Sequence, residues 1–431
     1  MLNKMDDIHQ LEQLDKQHFL HPTSSIEQQQ TLGPAFIFRE GKGIYLSDVK
    51  GNVVIDGMSS LWNVNIGHGR LEIGEAAREQ MAKLAYSSCF ATFSNEPAIR
   101  LAAKLAKIAP GQLSAVFYTS GGSEANDTAY KLARHYWSIK GMPEKKKIIS
   151  RTKSYHGVSV GATSATGLQP FREFSGSLAP DFLHVDQFDT DELRQLIIRE
   201  GAESIAAFLA EPVQGAGGVH IPPENYFAEV RKICDEFHLL LITDEVITGF
   251  GRTGKWFGIE HYGVTPDMMC IAKGITSGYA QLGGVMISKE IHETFKQRSG
   301  GTFLHGFTYS GHATACAIAL KNLEIIEREQ LVSNAKVRGD ELLAGLKQLK
   351  NESEIIENVR ALGLMAAIEF KASKTTTPFS PQVVAEAAKR GLICRAVTFD
   401  GQDTVVIAPP LIIKKAEVEK VIQILRETIN A

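Results

Sequence analysis

The stretch Leu239–Lys273, LLLITDEVITGFGRTGKWFGIEHYGVTPDMMCIAK, decides the fold. Two short apolar runs in it each end on an ionisable residue: LLLIT delivers Asp244 and MMCIA delivers Lys273. Apolar runs this short, bounded by Gly, Pro or charge, are the pattern of buried strands in an α/β sheet. Ligands of such sheets collect at the carboxyl ends of the strands. An acid and an amine placed there are the pair that pyridoxal phosphate requires. The amine condenses with the cofactor aldehyde, and the carboxylate keeps the pyridine nitrogen protonated so that the ring can accept electrons. Either residue taken alone is equally well a solvated strand end.

The surrounding composition narrows the class. A chain of 431 residues exceeds one small domain, and roughly two or three are expected. Hydrophobic residues at 44% and charged ones at 22% are those of an ordinary globular protein with a large core. Lys and Arg number 46 against 49 Asp and Glu, so no nucleic-acid or membrane surface is expected. The run Lys145–Lys147 follows Gly141-Met142-Pro143 and is expected to be a solvated turn. Cysteines at 89, 234, 270, 316 and 394 form no CxxC pair, which argues against a disulfide framework or a metal site and suits a reducing compartment. The opening MLNKMDDIHQLEQLDKQ lacks a signal-peptide core, and no run approaches the ~18 apolar residues of a membrane span. A cytoplasmic protein is expected.

Upstream of the deciding stretch, residues 5–18 suggest an amphipathic helix stopped near His21-Pro22. Ala35–Phe38, Ile44–Leu46 and Val53–Asp56 alternate with Gly turns, which predicts an antiparallel meander. The segment Ser59–Gly69 has no period and is either a packed connection or a pocket wall. Helices follow at 73–84 and 96–108, the second ended by Pro110-Gly111, then a short strand Ala115–Tyr118. That strand runs through Ser120-Gly121-Gly122-Ser123 into a helix with apolar positions at Tyr130, Leu132, Ala133, Tyr136 and Trp137. A Gly-Gly-Ser turn at a helix N-terminus offers free N–H groups and a phosphate cradle. The same residues also suit a plain tight turn with Ser123 as N-cap.

Strand-like runs recur at Lys147–Ser150, Phe182–Val185, Ile205–Glu211, Leu239–Asp244, Met268–Lys273 and Gly284–Ser288, with helices between them. This alternation predicts a mostly parallel, helix-covered sheet. Beyond Gly311, long helices at 312–328 and 330–350 lead to a strand Leu362–Phe370 and a helix near 380–390. Strands Leu392–Ala396 and Thr404–Ile407 and a helix from Lys415 close the chain. The expected division is an N-terminal segment, 1–75, contributing to a small domain, a large domain, 76–315, and a C-terminal small α+β domain, 316–431. Lys371–Pro378, KASKTTTP, is the nearest approach to a flexible loop.

Together these motifs resemble the class III (ω-type, subgroup II) aminotransferases, and the resemblance runs from Leu14–Pro22, LDKQHFLHP, to Ala408–Ile412, APPLI. Its most specific part is Thr243–Gly254, TDEVITGFGRTG, followed by Ala272-Lys273-Gly274. SGGSEAND at 120–127, SYHG at 154–157, EPVQGAGG at 211–218 and HGFTYSGH at 305–312 stand in the family's order. The resemblance implies an α/β, fold-type I pyridoxal phosphate enzyme with a mostly parallel seven-stranded sheet and a smaller α+β domain.

It also implies roles. Lys273 would hold the cofactor and, once freed, shuttle a proton, which needs a lysine of lowered pKa. Asp244 would pair with the pyridinium nitrogen. Val246, on the same strand face if the strand continues, would press on one side of the ring, and Tyr155 would stack on the other unless it is ordinary core. Gly122 and Ser123 would bind the phosphate, with Gly121 shaping the turn. Many relatives carry Asn-Ser-Gly-Ser where this chain has Ser120–Ser123, so one hydroxyl is missing and more backbone contacts are expected. Phe307 and Thr308 would complete the neighbouring subunit's site, which implies a homodimer, alone or paired into a tetramer. Glu211 matches a glutamate near the cofactor, with a structural ion pair as the alternative. Arg395 matches an arginine that swings in to clamp a substrate carboxylate, although an Asp or Glu partner would serve it too. Trp62 matches a pocket aromatic, with plain core packing as the alternative.

The implied activity is transfer from an ω-amino donor (an amine, β-alanine or taurine) to a keto acid, pyruvate foremost, by a ping-pong route. The biotin-pathway enzyme acting on adenosylmethionine and 8-amino-7-oxononanoate shares the LDxxHxxHP opening. The continuation Val158–Gly167 looks more like the pyruvate-linked enzymes. Ornithine or 4-aminobutyrate specificity, a decarboxylating transaminase and a non-catalytic cofactor-binding module complete the alternatives.

Overall fold

The computed structural model describes residues 2–298, 301–371 and 377–430. A helix, Leu2–His18, opens the chain, and a second, Ile26–Leu32, is capped by Ser25, whose hydroxyl accepts the Gln28 N–H. The expected meander follows as β1 (Phe38–Lys42), β2 (Tyr45–Asp48) and β3 (Val53–Asp56). β1 starts later than the sequence suggests. The turn at Gly43-Ile44, with Gly43 at φ +61°, joins Lys42 to Tyr45 and draws the ladder across Glu40-Gly41.

The central sheet contains β4 (Leu113–Thr119), β5 (Lys147–Arg151), β6 (Phe182–Val185), β7 (Ile205–Ala210), β8 (Leu240–Asp244), β9 (Met268–Ile271) and β10 (Gly283–Ser288), in the order β4-β10-β9-β8-β7-β5-β6. β10 runs antiparallel to both its neighbours and the other pairs are parallel. Every residue of β7, β8 and β9 is buried, which is why these strands are unbroken apolar runs without alternation. The helix Gly122–Ile139 packs on β9 and β10 through a face that includes Ala125, Ala129, Leu132 and Ala133. It is the expected helix, and it starts directly on the Gly-Gly turn.

The C-terminal strands are β11 (Ile356–Leu362), β12 (Met365–Phe370), β13 (Leu392–Ile393), β14 (Arg395–Val397) and β15 (Thr404–Ile407). The expected strand Leu362–Phe370 is the second arm of a hairpin, turned at Gly363 with φ +56°. The expected strand Leu392–Ala396 divides at Cys394. β13 pairs in parallel with β3, while β14 joins β15 in the sheet β11-β12-β15-β14. One extended run therefore serves two sheets, and it fastens the N-terminal meander to the C-terminal part of the chain. Residues 372–376 of the KASKTTTP loop lie outside the described residues.

Two charged side chains lie deep, and the first was expected to be solvated. Lys145 is 4% exposed, not solvated. Its ammonium lies 4.6 Å from the Trp137 ring centroid and donates to the Ala202 carbonyl at 2.7 Å, and burial lowers its pKa to about 8. Arg252, in the middle of GFGRTG, is fully buried and donates to the carbonyls of Leu364 and Pro409, to Ser59 Oγ and to Asn65 Oδ1. That motif arginine ties the chain after β8 to segments near both ends of the sequence.

Candidate active site

Asp244 ends β8, where the register sets it opposite Cys270 of β9, and Lys273 stands just beyond the end of β9. The two ionisable ends of the deciding stretch thus open onto one cavity of about 460 Å³ at the carboxyl edge of the sheet. Glu211, immediately after β7, lines the same cavity, as do Gly122, Ser123, Tyr155 and Val246. Trp62 and Arg395 form part of its outer wall. Gly121, Phe307 and Thr308 do not line it.

β8 stops at Asp244, so Val246 reaches the cavity from a turn and not from a continued strand. The turn is closed by the Val246 N–H, which donates to Asp244 Oδ1 at 3.0 Å. Asp244 Oδ2 accepts from Asn126 Nδ2 and pairs with His156 Nδ1, each at 2.8 Å. Three groups from three elements therefore fix one carboxylate. Asn126 Nδ2 also donates to the carbonyls of His156 and Gly122, which links the acid to the Gly-Gly turn.

That turn has a defined supply of donors. The Ser120 N–H is taken by Glu124 Oε2 at 2.7 Å, whereas Gly122 and Ser123 line the cavity in the first turn of an 18-residue helix, where backbone N–H groups have no partner within the helix. Ser123 Oγ accepts the Val158 N–H at 3.1 Å, so the hydroxyl also secures the YHG loop. A Cβ on Gly122 would meet Val246 Cγ1 at 2.9 Å.

Lys273 occupies the left-handed region, φ +46°. For a residue with a side chain this costs about 1–3 kcal/mol and persists only where the surroundings impose it. Removal from water lowers its pKa to about 8, opposed by Asp244 and Glu211 and assisted by Arg395. Glu211 is 2% exposed, and burial raises its pKa to about 7. Its two oxygens accept the N–H groups of Tyr155 and Gly215, each at 3.0 Å, and not the cation of the alternative ion-pair reading. Arg395 has no carboxylate within salt-bridge distance among the described residues, and burial lowers its pKa.

The unperiodic segment Ser59–Gly69 is both connection and wall. Ser60 sits at φ +57° and Trp62 at φ +61°, and the Ser60 N–H donates to Asp56 at 2.7 Å. This turn sends Trp62 to the cavity with its Nε1 buried and unpartnered among the described residues. Sequence reasoning missed Asn126 and His156, which hold Asp244, and Phe171 and Phe399, which extend from Tyr155 in edge-to-face contacts of 5.4 and 5.6 Å. SGGSEAND and SYHG contain the first two, so the signal lay inside motifs already noted. Phe171 and Phe399 had no local signal. Pro22 and Thr23, at the end of the LDKQHFLHP opening, also line the cavity.

The residues present fit pyridoxal phosphate. A helix-start cradle suits the phosphate, and an oriented carboxylate suits the pyridine nitrogen. The amine between them is held neutral more readily than a free lysine, as attack on an aldehyde requires. Among the described residues Asn126 Oδ1 is buried without a partner beside this set, a polar atom left for a bound group.

The comparisons agree with the geometry. The family of class-III aminotransferases matches residues 26–429. A putrescine–pyruvate aminotransferase of Pseudomonas aeruginosa is 38% identical, covering 97% of this chain and 95% of its own. A transaminase from the marine bacterium Virgibacillus superposes with a TM-score of 0.96 at 54% identity, over 98% of both chains. The ω-transaminase of Pseudomonas jessenii, crystallised with PMP, gives 0.94 at 36% identity over 97% of both. The chain belongs to the class-III aminotransferases and is a pyridoxal phosphate-dependent transaminase.

Proposed function

We propose that the enzyme takes the amino group from a terminal amine, β-alanine or taurine being the acidic examples, and passes it to a small keto acid, pyruvate foremost. The observation that carries this reading is Arg395. It is a guanidinium on the cavity wall without a carboxylate partner among the described residues, and it shares that wall with Trp62, Tyr155, Phe171 and Phe399. A keto acid offers the carboxylate that such a fork grips in two places. An amine without an acid leaves the guanidinium alone and lays its apolar body on the aromatic wall. The pyruvate in the name of the P. aeruginosa relative supports the acceptor.

When bound, pyridoxal phosphate supplies the electron sink that makes the substrate carbon acidic. The chain does the rest. Asp244, fixed by His156, Asn126 and the Val246 N–H, orients the ring. Lys273 Nζ moves the proton to and from the substrate carbon, in both halves of a ping-pong cycle. Tyr155 and Val246, both on the cavity wall, would hold the ring in place.

We also propose that the working unit is a homodimer in which Phe307 and Thr308 serve the neighbouring cavity. Both lie off their own chain's cavity, and Thr308 is exposed. Their loop is nonetheless tied down: Tyr86 donates to the Thr308 carbonyl and Ser310 Oγ to the Tyr118 carbonyl, each at 2.7 Å. Exposed Phe90, Phe93, Leu304 and Tyr309 surround it, an apolar surface of the kind a partner covers.

The test of the chemistry is spectral. Single candidate donors are added to the holoenzyme and the aldehyde-form absorbance is followed. Bleaching by β-alanine, taurine or a simple amine, reversed by pyruvate, is the expected result. Bleaching only by adenosylmethionine would overturn it.

A further inference from the structure

Lys273 stands in a backbone conformation that needs outside support, and the structure shows where that support comes from. The turn after β9 runs Lys273–Ile275, with the Lys273 carbonyl accepting the N–H groups of Thr276 and Ser277 at 3.1 Å each. The next two carbonyls, Gly274 and Ile275, both accept from one side chain, Asn322 Nδ2, at 2.9 Å each. Asn322 Oδ1 in turn accepts from Ser277 Oγ at 2.6 Å. Asn322 is wholly buried on the helix Ala313–Arg328, far along the chain from the motif that carries the lysine.

The opposite side of the turn is closed as well. A Cβ on Gly274 would come within 2.6 Å of Asn65 Nδ2, and that amide is fixed by the Phe250 carbonyl at 3.0 Å and by Arg252 Nη2 on its oxygen at 2.7 Å. The turn is gripped between two asparagines. Asn65 limits it sterically, while Asn322 bonds three of its residues at once.

We propose that Asn322 is a positioning residue for the transamination: it holds the Gly274–Ser277 turn so that Lys273 stays left-handed with its amine directed into the cavity. An interior helical asparagine is a poor helix former, and its burial is tolerated because all its hydrogen-bonding capacity toward the turn is used. Without it, two buried carbonyls lose their donor and the lysine backbone relaxes toward an ordinary conformation. The amine then loses its fixed approach to the reacting carbon. Displacement of a catalytic group by a fraction of an ångström lowers the rate without altering what the donor touches. This role does not depend on which amine is the donor.

The experiment compares the parent holoenzyme with Asn322→Ala and with the milder Ser277→Ala, which frees Asn322 Oδ1 but leaves its two carbonyl bonds. Thr428→Ala, a buried hydroxyl on the C-terminal helix bonded to the Ile424 carbonyl, is the stability control. Two readouts are taken. In single turnover with one amine donor, the expected loss is about tenfold in maximal rate for Asn322→Ala and less for Ser277→Ala, with the donor concentration at half-maximal rate unchanged. In cofactor-stripped protein, amine labelling of Lys273 is followed against pH by mass spectrometry. Asp244, Glu211 and Arg395 remain around the amine in every variant, so the expected upward shift of the labelling midpoint from about 8 reports its release toward water. Thr428→Ala should change neither. If Asn322→Ala does not fold, Ser277→Ala alone decides. Folded variants with the parent's rate and labelling midpoint would overturn the proposal.

Discussion

Glu211 shows what a single buried group contributes here. Its raised pKa, about 7 against 4.5 for the free side chain, means that the folded protein binds the proton more tightly than the unfolded chain. The stabilisation is therefore complete below about pH 4.5 and is lost as pH rises through 7, a difference on the order of 3 kcal/mol. Glu211→Gln keeps that position neutral at every pH. Denaturant unfolding of the cofactor-stripped protein at pH 5 and pH 8 should show the parent losing roughly 2.5 kcal/mol more than the variant between the two. Equal losses would mean that Glu211 does not carry the proton. At this scale the sequence was uneven. Asp244 and Lys273 announced themselves because a charge ends an apolar run. Asn126 and His156 did not, because their importance lies in a shared contact with Asp244 that only the folded chain creates. Lys145 was misplaced because three lysines in a row look solvated, whereas an aromatic face and a carbonyl receive this one.

Among the elements, the Gly-Gly turn depends on a neighbour that the motif does not include. Gly157 of the YHG loop has φ +122°, and a Cβ there would fall 2.3 Å from Ser123 Oγ. Gly157→Ala is thus both strained and in collision with the cradle. It should destabilise the protein by about 2 kcal/mol or more and weaken cofactor binding more than Gly122→Ala, whose added methyl meets only the Val246 side chain. Cofactor titration followed by absorbance, with thermal melting alongside, measures both effects. An order reversed between the two variants would contradict this account. The buried strands were the most legible elements, since β6 and β15 stand where the apolar runs placed them. The divided run at Cys394 was not legible, because nothing local says that one extended segment will pair with two sheets.

For the molecule as a whole, the proposed dimer makes cofactor retention a property of assembly. Dilution below the dimer's dissociation constant should release cofactor as monomers appear, and Thr308→Ala should lower occupancy without shifting the dissociation constant. Sedimentation and cofactor absorbance on the same samples test both; monomers that keep their full cofactor would exclude the shared site. The order of residues along the chain has a further consequence. Every residue assigned to the cofactor within one chain's own cavity lies between 121 and 273, whereas Pro22, Thr23, Leu61 and Trp62 precede that block and Arg395 and Phe399 follow it. A recombination event between two related genes, with crossovers before residue 121 and after residue 308, would inherit the cofactor machinery from one parent intact and parts of the donor-facing wall from the other. New amine preferences are thereby open to this lineage through exchange of gene ends, with no mutation in the catalytic core.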